Sequence, residues 1–172
     1  MNENLKKYIR DIPDFPKKGI LFRDITTLLS DPAAFKTAID QLAERFAGKG
    51  ITKVVGIESR GFLTAAPLAY LLGAGFIPVR KKGKLPHKTT SVTYSLEYGE
   101  DTLEIHLDAF KKGEKILIAD DLLATGGTAK ATCELVEKNG GKVAGIGFLI
   151  ELSDLKGRDK IKGYDIESLM VF

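Results

Sequence analysis

Only one cysteine, Cys133, is present, so no internal disulfide can form. Such sparse usage points to a reducing, cytoplasmic setting. Histidine occurs only twice, and no His, Cys and Asp cluster has the spacing of a zinc site or a catalytic triad. His106 on an alternating stretch and Cys133 on a helical stripe with Ala129 and Val136 read as structural. Long apolar runs are missing as well. No stretch approaches the roughly 18 residues of a membrane span, and Lys6 and Lys7 are not followed by the apolar core of a signal peptide. No membrane partner is expected. A strong charge of one sign is also lacking. The net charge of +3 falls short of a nucleic-acid-binding composition, though it suits small polyanions such as phosphates. No repeat, low-complexity tract or linker interrupts the 172 residues, which argues for one domain spanning 1–172.

What is present alternates. Asp31-Pro32 is an N-cap followed by proline at the first helical position. Apolar residues then recur at Phe35, Ala38, Ile39, Leu42, Ala43 and Phe46, and Gly48 and Gly50 stop the helix. Val54–Ile57 is a short apolar run fit for a strand buried on both faces. A helix is predicted from about 62 to 72 and a strand at 76–79. The segment from Arg80 to about Thr90 is basic, lacks apolar period and reads as an exposed loop. Stretches 92–98 and 103–107 alternate around a turn at 99–101, which predicts a hairpin. A strand at 116–119, a helix from about 128 to 138 and a strand at 143–150 complete the order. Strands alternating with helices mean an α/β fold on a mostly parallel sheet flanked by helices. The first 30 and last 20 residues fit this scheme poorly and are expected to form a small cap.

The most informative segment runs from Ile116 to Thr128, IleLeuIleAla followed by Asp120, Asp121 and a loop closing on Thr125-Gly126-Gly127-Thr128. An apolar strand ends in two carboxylates, and a short loop then opens a helix. Ligands of open α/β sheets bind at the carboxyl ends of strands. The amides of Ala124, Thr125, Gly126, Gly127 and Thr128 can converge on one anion, with the helix dipole behind them. Thr125 and Thr128 add hydroxyl donors. Acceptor-only groups at Asp120 and Asp121 suit the 2- and 3-hydroxyls of a ribose. No GK[ST] follows, which argues against a Walker loop, and the pattern is not G-x-G-x-x-G. Glu58-Ser59-Arg60-Gly61 repeats the logic at a second strand end opening a helix, a second anion site.

The 116–128 segment resembles the phosphoribosyl diphosphate motif of the type I phosphoribosyltransferases. Further stretches resemble the adenine-specific branch of that family: 15–25, Glu58–Phe62, Arg80–Pro86, Tyr94–Gly99, and 151–158. The resemblance implies a type I fold with a small hood and a flexible lid loop and hairpin at about 80–99. It also implies a homodimer, a Mg²⁺ requirement, and transfer of the phosphoribosyl group of 5-phosphoribosyl 1-diphosphate to adenine, giving AMP and pyrophosphate in purine salvage. The metal would be held largely by substrate oxygens and water, so no protein ligand to it is expected.

Residue roles follow from the same resemblance. Ser59 and Arg60 match the pyrophosphate loop, with a cis peptide at Glu58-Ser59 or Ser59-Arg60. Arg80, Lys81 and Lys84 would neutralise the leaving pyrophosphate. Glu97, which alternates with Thr93 and Ser95 and so is expected to face the cleft, matches the glutamate that handles the purine proton. Tyr98 would steady the closed lid. Leu21, Phe22, Arg23 and Leu152 match the adenine pocket, with backbone groups at 21 and 23 reading the base edge. The catalytic candidates are therefore Glu97, Arg60 and Asp121. Two rivals remain: an enzyme for another base such as hypoxanthine, xanthine or orotate, and a regulator that senses the diphosphate. The second would need a DNA-binding module, and no helix-turn-helix pattern is seen.

Overall fold

Asp31 starts the first long helix as its sequence demands: the carboxylate accepts from Ala33 N at 3.0 Å and Ala34 N at 2.8 Å, with Pro32 next to it. The structure is a computed structural model that describes residues 3–95 and 99–172. In chain order the elements are α1 (Glu3–Lys6), β1 (Arg10–Pro13), β2 (Leu21–Asp24), α2 (Thr26–Ser30), α3 (Pro32–Phe46), β3 (Lys53–Ile57), α4 (Gly61–Leu71), β4 (Gly75–Lys81), β5 (Thr89–Ser95), β6 (Glu100–His106), β7 (Lys115–Leu123), α5 (Gly127–Lys138), β8 (Lys142–Glu151) and β9 (Ile166–Val171). Two short 3₁₀ turns, Ser153–Leu155 and Gly157–Ile161, precede β9.

Seven strands form the main sheet in the order β5-β6-β4-β3-β7-β8-β9. β4, β3, β7, β8 and β9 are parallel, and β6 and β5 continue the sheet antiparallel. Helices cover both faces, so the central strands are apolar on both sides. Val54 and Leu117 join the core under α3 and α4, and Val55, Ile116 and Ile118 join the core under α5. The buried stripe of α3 is Ala34, Ala38, Ile39, Leu42, Ala43 and Phe46, close to the predicted one. Among the described residues, no helix is long and apolar enough to cross a membrane.

Three expectations need correction. β7 does not stop at Ala119 but runs through both aspartates to Leu123, because β8 pairs with it to the end: Asp120 opposes Phe148 and Leu123 opposes Glu151. Arg80 and Lys81 are not loop residues. β4 extends over them because β6 offers antiparallel partners, Glu104 to Arg80 and Leu103 to Lys81, and Lys84 alone of the three stands in the turn. The last residues do not form a cap: β9 pairs in parallel with β8 at the sheet's edge. The N-terminal part has its own two-stranded β1-β2 sheet, while Leu5 of α1, Ile25 just before α2 and Leu28 of α2 are buried in the core under α3 and α4.

Candidate active site

The end of β7 and the start of α5 enclose a cavity of about 80 Å³ lined by Asp120 and the backbone from Leu122 to Ala129. Gly126, with φ of 78°, occupies the N-cap position of α5 in a left-handed conformation, and no side chain caps the helix. The first-turn amides therefore keep their donors for a ligand. The loop is braced from outside. A Cβ on Gly126 would run into the Gly157 carbonyl oxygen, and a Cβ on Gly157 into that of Ala124. Two backbones touch there because neither carries a side chain. The turn bearing Gly157 is held by Arg158, which donates to both Glu151 carboxylate oxygens at 2.7 and 2.8 Å. Burial pushes the Glu151 carboxyl up, but Arg158 and Ser168 bring it below its ordinary value. On the other side, the Tyr94 hydroxyl lies 3.2 Å from Thr128 Oγ1.

A larger cleft of about 480 Å³ adjoins this cradle, a size suited to a small-molecule ligand. Its walls include Glu58, Ser59, Arg60, Lys81, Asp120 and Asp121, together with Tyr94, Asp101 and Thr128. Burial raises the carboxyl of Asp120 well above its ordinary range, and the charge of Asp121 adds to this. Burial raises Asp121 as well, opposed by Arg60. Arg60 Nε stands 2.8 Å from Asp121 Oδ2, yet that oxygen, buried, accepts no directed hydrogen bond. It has acceptor capacity left for a ligand donor. Gly61 opens α4 directly over the pair: a Cβ there would lie 2.6 Å from Asp120 Oδ1.

The peptide bond between Glu58 and Ser59 is cis, one of the two positions expected. Glu58 gathers the loop cations. Lys84 Nζ donates to it at 2.7 Å, the Lys81 amide at 3.0 Å, and Arg80 at 3.2 and 3.3 Å. Burial would raise the Glu58 carboxyl, but these donors, Lys84 first, take it down to about 2. Lys81 Nζ pairs with Asp101 at 3.1 Å, and that partner holds the ammonium above its ordinary value. Of the four predicted pyrophosphate cations, Arg60 and Lys81 line the cleft and Arg80 and Lys84 reach its wall at Glu58, each of the four matched to a carboxylate.

The predicted base-binding residues lie on β2 and after β8. Leu21 is exposed. The Phe22 ring meets Phe15 edge-on at 5.1 Å, and the Arg60 guanidinium lies 5.3 Å from its centroid. That contact brings β2 to the cleft. The Arg23 side chain is turned elsewhere, to Asp11 and to the Phe172 ring at 4.3 Å, although its buried Nε has no hydrogen-bond partner. Leu152 packs partly buried on the core, its amide bonded to Leu123 O at 2.9 Å. Glu97 and Tyr98 lie outside the described residues. The parity used for Glu97 is reversed at the described positions: Thr93 and Ser95 are exposed, and Tyr94 lines the cleft.

The profile of the phosphoribosyl transferase domain matches residues 24–170. An adenine phosphoribosyltransferase from Clostridium botulinum is 57% identical over 169 residues, covering 98% of each chain. The chain belongs to the adenine phosphoribosyltransferase family. Among solved members, the enzyme from Thermoanaerobacter pseudethanolicus superposes with a TM-score of 0.96 at 55% identity over 100% of both chains. That from Saccharomyces cerevisiae, complexed with an imino-altritol bisphosphate and adenine, gives 0.91 at 42% identity over 97% of both. The fold of this family member is the type I arrangement its motif implied.

Sequence reasoning missed four features of the site. Glu58 was read only as a neighbour of Ser59 and Arg60, although a carboxylate next to so many cations is a pairing signal. Asp101 was assigned to a turn. Tyr94, Glu151 and Arg158 lie in stretches that carry the family resemblance, but their contacts have no local signal, because the partners lie 34 and 7 residues away.

Proposed function

We propose that this family member transfers the phosphoribosyl group of 5-phosphoribosyl 1-diphosphate to adenine, giving AMP and pyrophosphate in purine salvage. One observation carries the reading: the uncapped amide cradle at 124–128 lines one cavity, the 58–60 turn and Asp121 line the other, and the two share Asp120, Leu122 and Thr128. The solved yeast relative with adenine bound supports the choice of base. Residues 1–172 act as one catalytic domain, the 80–99 segment serves as its lid, and the cytoplasm is its place of work.

In this reading the 5-phosphate takes the amides of Ala124 to Thr128 and the hydroxyls of Thr125 and Thr128. The ribose hydroxyls donate to Asp120 and to the open Asp121 Oδ2. Arg80 and Lys84 turn from Glu58 to the pyrophosphate, Lys81 turns from Asp101, and Ser59 and Arg60 approach it from the turn. Charge that builds on the leaving group is met by cations already in place, where exclusion of water strengthens each contact. The C1–O bond breaks with its electron pair going to pyrophosphate. Adenine N9 attacks the opposite face of the oxocarbenium-like centre, forms the C1–N9 bond and loses its proton, so configuration inverts. Glu97 takes up the purine proton chemistry, and Tyr98 holds the lid. Backbone groups of Leu21 and Arg23 read the base edge while Phe22 and Leu152 cover its faces.

The donor set fits Mg²⁺ as a hard cation. The carboxylates of Asp120 and Asp121 line the cleft but are taken up by the ribose hydroxyls in this reading, and among the described residues no group of three His, Cys, Asp or Glu forms a cage, so they would face a substrate-held ion without ligating it directly. Substrate oxygens and water would form its shell, and when bound it supplies charge neutralisation for the diphosphate. A homodimer is supported by α4, which is apolar all round. It buries Ala65, Leu68 and Ala69 against the sheet yet exposes Leu63, Tyr70 and Leu71 at 48%, 85% and 47%. A helix of that kind belongs inside an interface.

The test is a base panel with phosphoribosyl diphosphate and Mg²⁺, following nucleotide formation from adenine, hypoxanthine, guanine, xanthine and orotate. AMP from adenine alone is expected. Product only from another base would overturn the adenine assignment. Tight diphosphate binding without any product would replace the enzyme by a sensor.

A further inference from the structure

Tyr94 sits on β5, in the hairpin rather than in the phosphate loop, and nothing in the reading above uses it. Its ring lies against the start of α5: a Cβ built on Gly127 would be 3.7 Å from Tyr94 Cδ2. Its hydroxyl is 3.2 Å from Thr128 Oγ1. Thr128 belongs to the walls of both the small cavity and the larger cleft, and Tyr94 shares only the cleft. The phenol therefore meets the threonine hydroxyl from the larger cleft.

We propose that Tyr94 is a positioning residue for the 5-phosphate: its hydroxyl donates to Thr128 Oγ1 and so aims the threonine O–H into the cradle. The inference rests on the phosphate role assigned to residues 124–128. Its logic is one of proton counting. A hydroxyl has one hydrogen to give and two lone pairs to receive. Phosphate oxygens carrying charge only accept. When Thr128 gives its hydrogen to the phosphate, it can meet Tyr94 only as an acceptor, so the direction of the Tyr94–Thr128 bond is determined by the ligand. Donation from the phenol also polarises the threonine O–H and strengthens its bond to the anion, as in any chain of hydrogen bonds in a low-dielectric site. Without the phenol, the threonine hydrogen has no acceptor-side constraint and rotates among competing directions. The same bond ties the strand that leads to residues 96–98 to the helix that receives the phosphate.

The experiment is a double-mutant cycle on the full chain with Tyr94→Phe and Thr128→Val, read by calorimetry with ribose 5-phosphate, calorimetry with adenine, and steady-state kinetics. Tyr94→Phe should weaken ribose 5-phosphate binding and raise the KM for phosphoribosyl diphosphate about five-fold, the scale of one hydrogen bond between neutral groups. The kcat at saturation and the adenine affinity should stay close to wild type. In the Thr128→Val background Tyr94→Phe should add nothing, because the group it acts through is gone. Equal effects of Tyr94→Phe in both backgrounds would overturn the proposal, as would a loss of thermal stability with ribose 5-phosphate binding intact. Wild-type protein that fails to bind ribose 5-phosphate would overturn the functional reading and the Tyr94 role together. Wild type that binds it, with Tyr94→Phe binding equally well, would overturn the Tyr94 role alone.

Discussion

Asp120 and Glu58 face one cleft but have been pushed in opposite directions, and this makes their contributions to stability opposite in sign. Burial and the Asp121 charge raise Asp120 above its ordinary 3.8. The folded state therefore holds a proton that the unfolded chain has lost, and stability falls as pH rises through that interval and stays lowered above it. Asp120→Asn should raise the Tm of the free protein at neutral pH, with the gain vanishing below about pH 4 where both states are protonated. The same variant should lose turnover, since an amide replaces the carboxyl proposed to hold the ribose hydroxyls. Glu58 moves the other way, from 4.5 to about 2 under Lys84, the Lys81 amide and Arg80. Its contribution is complete above its unfolded value and is lost as pH falls from 4.5 toward 2. Glu58→Gln should lower the neutral-pH Tm and flatten the acid limb of the stability profile. Calorimetric melts of both variants from pH 3 to 8 would check the pair, and a Tm change of the same sign for both at neutral pH would contradict this account.

Among elements, the turn after β8 matters most for the site although it contains none of the phosphate-binding amides. Gly157 is packed backbone to backbone against the 124–126 loop, and the bidentate Glu151–Arg158 pair holds it there. Gly157→Ala would drive the new methyl into the Ala124 carbonyl, so the loop must shift. A displacement of about 1 Å in positioned groups can cost on the order of 100-fold, and the loss should appear in kcat/KM for phosphoribosyl diphosphate. Arg158→Lys, which keeps the charge but not the fork, should give a smaller loss of the same kind. Initial-rate kinetics would check both; an unchanged KM in Gly157→Ala would show that the turn does not support the loop. Very little of this was legible in the sequence. The loop itself was, because two glycines and two threonines between a strand and a helix carry a local chemical meaning. The brace was not, because a glycine 33 residues from Ala124, the loop residue it touches, looks like any other turn residue.

For the whole molecule, the two hydrophobic cores and the seven-stranded sheet leave the outer side of α4 uncovered and apolar. Tyr70, at 85% exposure, projects fully from it beside Leu63 and Leu71. If this face closes a homodimer, Leu71→Glu should shift the protein to monomer in sedimentation velocity, since an unpaired charge in an apolar contact is costly. A monomeric wild type would remove the dimer from the picture. The active-site cations stand on separate parts of the fold, Arg60 at the start of α4 and Arg80 and Lys81 at the end of β4. Any movement of α4 in an interface is therefore felt in the cleft.

The chain by itself determined the order of helices and strands from residue 31 to 150, the position of the glycine-threonine loop that opens α5, and the family. Periodicity, capping and short motifs are local properties, and each is complete within a dozen residues. Only the tertiary structure decided how far each strand runs and which charges meet. β7 continues through Asp120 and Asp121 because β8 lies beside it, and β4 takes in Arg80 and Lys81 because β6 does the same. Glu58 meets Lys84 from 26 residues away, and Tyr94 meets Thr128 from 34. Strand ends and ion pairs depend on what the sheet places next to them, and a backbone hydrogen bond or a carboxylate has no preference for a partner until the fold has brought one within reach.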